Sequence, residues 1–490
     1  MQRARMRPSN STMKYKNLVK TTTISAALLA LSGCIVSSVS PEKPEQPLPS
    51  ALPAPSASTV DLPDPWWTLF GDATLNSLIE EALAHNTDVV IAAARVEQAR
   101  AALRIANANR SPTLDVEGEV THSKASSYVA PVPAADRELT TYTVQGAVGF
   151  ELDFWGQYTR ASQSARAQLL NSEYGREATK LSLTGDVARA YFGLIAAAEQ
   201  LARGRDTLST REESVKLEQL RLNAGESDEF TFKRAVAEAA STRVSLHQLE
   251  FEVVQRSNAL AVLLGRSPKD MVDNVIATDG VSLPAAVTLP AALPSALLER
   301  RPDIGAAEAA LNASAFDIGV ARAQLFPSIR LTGAYGSVSP ELSDLFKEPY
   351  EAWSIAGSLL QPIFEGGRLR ANVKRAYAVR EERKAQYARA VQVAFQDVLN
   401  SLRGQELIVA VRDANREQTE ALDRATQLAE LRYGQGDISY LDLLDVRRGF
   451  YQAQISLIAA ERDALLNTVD LALAVGGGLG NHAGALTARR

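Results

Sequence analysis

The 490-residue sequence predicts a mostly helical α+β chain in which one half-protein is written twice: short helices, two strands, two long helices, and the same again. Three observations carry this reading. Residues recur at fixed separations, four short runs alternate polar and apolar side chains, and two long stretches lack proline. Asp88 and Pro112 recur as Asp303 and Pro327, 215 residues later. Gly156, Asp186, Val187, Gly193, Leu220, Arg221 and Gly225 recur as Gly367, Asp397, Val398, Gly404, Leu431, Arg432 and Gly436, 211 residues later. A unit of about 200 residues is too long for a solenoid repeat, so it reads as a duplication.

The first element is an address. Lys14, Lys16 and Lys20 precede a short apolar run at 21–31 that ends in LSGC, so residues 1–33 read as a signal peptide. Met13 is a better initiator than Met1, which leaves the true start as one of the two. LSGC resembles the bacterial lipobox, and Cys34 is the only cysteine in the chain. Lipidation of Cys34 would anchor the chain to a membrane, since each buried CH₂ contributes about 0.8 kcal/mol. One cysteine also excludes a disulfide framework and a zinc site built on several thiolates. Residues 34–65 hold eight prolines and no core-forming pattern, as an extended tether would.

Repeat 1 (66–280) opens with Trp66 and Trp67, for which a packing role is favoured over membrane anchoring because they stand far from the strands. Helices follow over roughly 73–108, and their counterparts in repeat 2 (281–475) over roughly 292–324, stopped by Pro112 and Pro327. Leu114, Val116, Gly118 and Val120 then alternate with Asp115, Glu117, Glu119 and Thr121. The same period of two runs through 142–152, where Glu151 falls on the polar side, and through 329–335 and 353–359. Runs of about 9–11 residues suit a tilted membrane-spanning strand. An amphipathic sheet over a soluble core alternates in the same way. The four acids Asp115, Glu117, Glu119 and Glu151 therefore line a barrel lumen or an ordinary solvated face.

No proline lies between Pro133 and Pro268 or after Pro362. Helices over about 157–222 and 368–433 would each span about 100 Å at 1.5 Å per residue. Heptads support a coiled-coil seam: Phe232, Ala239, Leu246, Val253 and Leu260, then Leu443, Phe450, Leu457, Ala464 and Leu471. Glycines at 175, 185, 193 and 204 mark bends or close helix packing. The tail 476–490 is glycine-rich and matches no nucleotide motif.

Several classes are excluded. No uncharged apolar run reaches the ~18–20 residues of a spanning helix, which rules out a polytopic helical membrane protein but not a β-barrel. Net charge is −5, and near −11 once the six basic residues ahead of Cys34 are removed (46 basic against 57 acidic), so nucleic acid is not the indicated partner. His85, His122, His247 and His482 show no ligand spacing, and no catalytic constellation or cofactor motif is present. Four strands cannot close a membrane barrel, and an open edge in lipid costs several kcal/mol per unpaired group. If the strands span, three copies supply a twelve-strand barrel and a twelve-helix tube, a cyclic homotrimer.

DPWWTLFGD (64–72), RRPDI (300–304), the run Ala321 to Tyr335, FEGGRLRA (364–371) and LRYGQGDISYLDLLDVRR (431–448) complete the picture. In this order the chain resembles the TolC-like outer-membrane efflux channel family, in its lipoprotein (NodT/OprM-like) branch. The resemblance implies a trimeric outer-membrane β-barrel continuous with a periplasmic α-barrel, a passive duct for small molecules. It further implies a periplasmic adaptor and an inner-membrane efflux pump, of the RND type, as partners. Ile35 after the lipidated cysteine implies the outer membrane. FEGGRLRA implies a strand-to-helix junction at Gly366 and Gly367, with Gly156 as its counterpart. By position, Asp442, Asp445, Tyr433, Leu441 and Arg448 match residues of the family's periplasmic gate, whereas Ile438 stands where a gating arginine is found. A lipid-anchored periplasmic coiled-coil adaptor or scaffold shares the lipobox and the long helices, and it is the second reading.

Overall fold

The computed structural model describes residues 44, 63–126, 138–273, 276–278, 280–285, 287 and 300–477. Cys34, the leader and most of the tether, the first strand-joining loop at 127–137, the expected helix start at 292–299 and the tail beyond Gly477 lie outside these residues. Within them the first half runs α1 (Ala73–His85), α2 (Thr87–Ala108), β1 (Thr113–Lys124), β2 (Glu138–Glu151), α3 (Gln157–Ala224), α4 (Glu229–Leu263) and the short α5 (Pro268–Asp273). The second runs α6 (Pro302–Ala323), β3 (Ser328–Ser339), β4 (Glu351–Leu360), α7 (Arg368–Gln435) and α8 (Tyr440–Ala474).

The duplication is kept in the lengths of the long helices and in the spacing of the element starts. α2 and α6 are both 22 residues long and start 215 apart, as do the 12-residue β1 and β3. α3 and α7, each of 68 residues, and α4 and α8, each of 35, start 211 apart. Pairing locates the change of offset. Thr113 faces Gly149 in the first hairpin and Ser328 faces Leu360 in the second, so Gly149 and Leu360 correspond at 211. The four-residue difference therefore sits in the loop between the two strands of each half.

The chain divides into two compact units. One holds the sheet and the helix segments that join it. Its four strands are antiparallel in the order β1-β2-β3-β4. The pairing puts Leu114, Val116, Val148, Leu331, Tyr335 and Ile355 on one face, and Asp115, Glu117, Glu119, Glu151 and Arg330 on the other. The apolar face is bare, with Val116 83% and Ile355 82% exposed. Both β1 and β4 lack a second neighbour among the described residues. Gly156, Gly366 and Gly367 leave the sheet with φ of 74°, 57° and 84°, a left-handed turn that favours glycine. Asp153 caps the start of α3 by accepting the Tyr158 and Thr159 amides at 3.0 and 2.7 Å. Trp155 ties the first strand-to-helix junction to the second half. It stacks on Phe326 at 4.8 Å and donates Nε1–H to the Pro327 carbonyl at 2.7 Å.

The other unit is helical. Its core joins Trp66 and Phe70 to Leu75 and Ile79 of α1, Val187 and Phe192 of α3, Leu260 of α4 and Leu465 and Val469 of α8. Trp66 is 1% exposed and donates Nε1–H to Thr184 Oγ1 at 3.2 Å, so it is a packing residue. Tyr191 donates to Asp72 at 2.8 Å, and the same carboxylate caps α1. The heptad positions Ala239, Leu246, Leu260, Leu443, Ala464 and Leu471 are all buried. Helical glycines make room for side chains of the facing helix. Gly193 faces Arg256 and, 211 residues on, Gly404 faces Asn467. Gly185 meets Leu473.

A Cβ at Gly185 would strike the Leu473 side chain. Gly185→Val is expected to destabilise the helical unit by about 1–3 kcal/mol through overpacking. Thermal unfolding in detergent measures the loss, and Leu473→Ala in the same chain should recover part of it. Full stability of the single variant would show that the two helices do not approach closely at this point.

Candidate functional site

The ends of the two long hairpins are built alike. α3 stops at Gly225 (φ 73°) and α7 at Gly436 (φ 84°). In each turn the next amide reaches back to an arginine carbonyl: Glu226 to Arg221 at 2.8 Å and Asp437 to Arg432 at 2.9 Å. Asp228 caps α4 through the Thr231 amide at 2.7 Å. Ser439 caps α8 in a reciprocal box, accepting the Asp442 amide at 3.2 Å while Asp442 accepts the Ser439 amide at 3.0 Å. Little apolar material holds these ends together. Ala235, Tyr440 and Leu444 form a small buried cluster, with Val215 and Tyr433 against it.

Polar links between the hairpins supply the rest. The Tyr433 hydroxyl donates to Glu218, which is 1% exposed and also accepts from Ser227 at 3.0 Å. The Arg221 guanidinium lies over the Tyr433 ring, 4.6 Å from its centroid. Burial first, and then the bond to Glu218, push the Tyr433 hydroxyl above its ordinary pKa, so it remains a donor. The Glu238 carboxylate is buried and takes two arginines: Arg211 from α3, and Arg448 from α8 through Nε at 2.9 Å. Burial, and secondarily Arg448, lower the pKa of Arg211. Arg447 adds a third link, to Glu430 of α7 at 2.7 Å and Ser214 of α3 at 2.9 Å. Separating α7 and α8 from α3 and α4 breaks all three links, at Glu218, Glu238 and Ser214.

Of the residues singled out by sequence, Tyr433 and Arg448 are in this network. Leu441 and Asp445 are exposed, one turn apart on α8. Asp442 is exposed and occupied by its cap. The Ser439 hydroxyl and amide hold its carboxyl below the usual pKa, so the cap is in place above the ordinary Asp range and is lost as pH falls through the lowered value. Within one chain Asp442 and Asp445 are not brought onto a common partner. Ile438 is half-buried. Asp115, Glu117, Glu119 and Glu151 share the polar face of the sheet, where Glu117 accepts from Gln145 at 3.1 Å and Glu119 from Thr121 at 2.9 Å. Cys34 is outside the described residues.

Glu218, Glu238 and Arg211 escaped the sequence reading, which had Arg221 only as a repeat position and Arg447 only as part of the 431–448 motif. The repeat held a clue to two of them. At the 211 offset Arg211 and Glu238 correspond to Leu422 and Gly449, which also face each other, the glycine Cβ position lying 3.6 Å from Leu422. An ion pair in one half replaces an aliphatic contact in the other, and such a break in the duplication marks a position with its own task.

Removing one partner of a buried pair strands a charge, at about 3–5 kcal/mol. Glu238→Ala leaves Arg211 in that position and is expected to lower unfolding stability by that order. Arg211→Leu with Glu238→Ala should restore most of it, because Arg448 is half-exposed. Chemical denaturation of the three proteins checks this. A double variant no better than the single would assign the loss to packing instead.

The sequence profile of the outer membrane efflux protein family matches residues 78–266 and 293–477. The chain is 32% identical over 457 residues to the cation efflux system protein CusC of Escherichia coli, covering 92% of this chain and 97% of that protein. It is 30% identical over 458 residues to the probable outer membrane lipoprotein SilC of Salmonella typhimurium, again covering 92% and 97%. Its fold is that of the Campylobacter jejuni CmeC outer membrane channel, with a TM-score of 0.84 at 24% identity over 92% of this chain and 98% of that one. The duplicated architecture and these likenesses place the chain in the outer membrane efflux protein family, as the outer-membrane channel component of a tripartite efflux system.

Proposed function

We propose that three copies of the chain close into one passive conduit, gated at the ends of the α3/α4 and α7/α8 hairpins. The open sheet supports this reading: among the described residues it has four strands, two unpaired edges and a bare apolar face. Each edge in lipid leaves backbone groups unsatisfied, and only closure removes them. The polar face then lines the lumen, where Asp115, Glu117, Glu119 and Glu151 outnumber Arg330 and favour cations. The division of the chain follows: signal peptide 1–33, lipidated tether 34–65, repeats 66–280 and 281–475, tail 476–490. The lipobox, together with the lipoprotein name borne by SilC, supports acylation of Cys34.

Closure at rest belongs to Tyr433–Glu218 and Arg448–Glu238, which hold the second hairpin to the first. Leu441 and Asp445 are the free groups of α8 that a ring of three copies brings to its axis, with Asp442 beside them. A periplasmic adaptor and an inner-membrane pump of the RND type, binding the open arrangement better than the closed one, shift the equilibrium. The energy is the pump's, and the channel makes and breaks no bonds. The same family likeness disfavours a coiled-coil scaffold, which would not need membrane-length strands.

Planar-bilayer recording tests the gate. Tyr433→Phe removes a hydrogen bond to a charged group, about 1.5–3 kcal/mol per chain, and should raise open probability. Asp445→Ala should raise leak conductance and weaken block by multivalent cations added from the helix-tip side. Unchanged current and block in the second variant would remove Asp445 from the gate, and unchanged opening in the first would remove Tyr433.

A further inference from the structure

Among the described residues, every charged side chain on the polar face of the sheet is acidic except one. Asp115, Glu117 and Glu119 of β1 and Glu151 of β2 share that face with Arg330 of β3. We propose that Arg330 is where the lumen engages anionic groups of its cargo. Three copies set three guanidiniums around the inner end of the barrel, each able to take a carboxylate or a phosphate. This rests on the three-copy conduit above and adds a class of passenger to it.

Position isolates the charge. Arg330 lies near the start of β3, at the end of the sheet where strands pass into helices. Its rung holds Glu151 on β2 and Ser358 on β4. The next rung is Thr113, Gly149, Thr332 and Ala356, all small and uncharged. Asp115 stands one rung beyond, about 13 Å away along the strands at 3.3 Å per residue. Exposed charges further apart than about 8 Å are largely screened at physiological salt. The acids of β1 therefore leave Arg330 uncompensated.

Glu151 is the one acid beside it, and that carboxylate is engaged elsewhere. Tyr158, at the start of α3, bonds to Glu151. Burial first, and then this bond, raise the pKa of the Tyr158 hydroxyl, so it remains the donor. Arg330 is exposed, and among the described residues its guanidinium is in no ion pair and no hydrogen bond. It lies instead over Gly149, where a Cβ would stand 3.4 Å from Arg330 Nη2 and 3.2 Å from Thr113 Oγ1. The missing side chain leaves a slot for the arginine with a hydroxyl at its edge. A guanidinium is charged at every working pH, and its flat fork of N–H donors matches carboxylate and phosphate oxygens.

Reversal potentials in planar bilayers test this, because they are read from open events and not from how often the gate opens. In a potassium chloride gradient near about 0.01 M, charges act over about 30 Å. There Arg330→Gln should raise the potassium-to-chloride permeability ratio at least about twofold. Inorganic pyrophosphate, added on the side of the strand-joining loops, should carry the wild-type ratio toward that of Arg330→Gln and leave the variant unmoved. Arg330→Lys keeps the charge without the fork, so it should hold the wild-type ratio but need several-fold more pyrophosphate. Glu151→Gln gives a second reading should Arg330→Gln fail to insert. Freed of its neighbouring acid, Arg330 should lower the ratio and respond to less pyrophosphate. Equal responses in the wild type and Arg330→Gln, or no response in either, overturn the proposal and leave the conduit standing. Failure of both the wild type and Tyr433→Phe to conduct refutes the conduit itself, and this site with it.

Discussion

A hydrocarbon layer offers no hydrogen bonds, and the rest of this protein answers to that fact. Every N–H and C=O of a strand placed there needs a partner of its own kind. Among the described residues the β2 and β3 strands find partners on both sides, whereas β1 and β4 find one each. A single chain is therefore an incomplete solution. Its bare apolar face carries the same message, since Val116, Trp353 and Ile355 are left uncovered by the described elements. Association is thus a condition of the fold in its working environment and not an addition to it.

Duplication is an economical answer to closure. Two strands and two long helices make one unit, and the unit is repeated with the lengths of α3 and α7, and of α4 and α8, unchanged. The turns at Gly225 and Gly436, equivalent positions of the two halves, use the same backbone device. Where the halves differ, the difference is local. The four-residue change lies in the strand-joining loops, and the exchange of Arg211–Glu238 for Leu422–Gly449 lies at the helix ends. A scaffold of equivalent units can hold one specialised contact without distorting the others.

Most of the architecture was legible because its signals are periodic. Alternation located the strands, the absence of proline set the long helices, and the 211 offset tied them together. The partners of Tyr433 and Arg448 were not legible. Glu218 meets Tyr433 from 215 residues away, and Glu238 meets Arg448 from 210. No pattern along one helix announces an ion pair whose halves lie on different hairpins. Asp442 shows a different failure. Ser439 and Asp442 stand at capping-box spacing, and the local cap competes with any role at an axis. Asp445, one turn further along, has no such duty and keeps its carboxylate available.

The balance of forces at the hairpin ends suits them to the proposed gate. A large apolar core would hold the four helices in one arrangement, as Trp66 and its neighbours do elsewhere in the helical unit. At the ends the apolar cluster is reduced to Ala235, Tyr440 and Leu444, and specificity passes to directional links. Hydrogen bonds and ion pairs contribute little net free energy when water can replace them, yet they demand exact geometry. Such a contact is either made or broken, with little between. Glu218 and Glu238 are both buried, so breaking one link exposes a carboxylate to water instead of stretching a soft contact. Two discrete states separated by a modest free energy are what a partner needs in order to shift the population by its own binding.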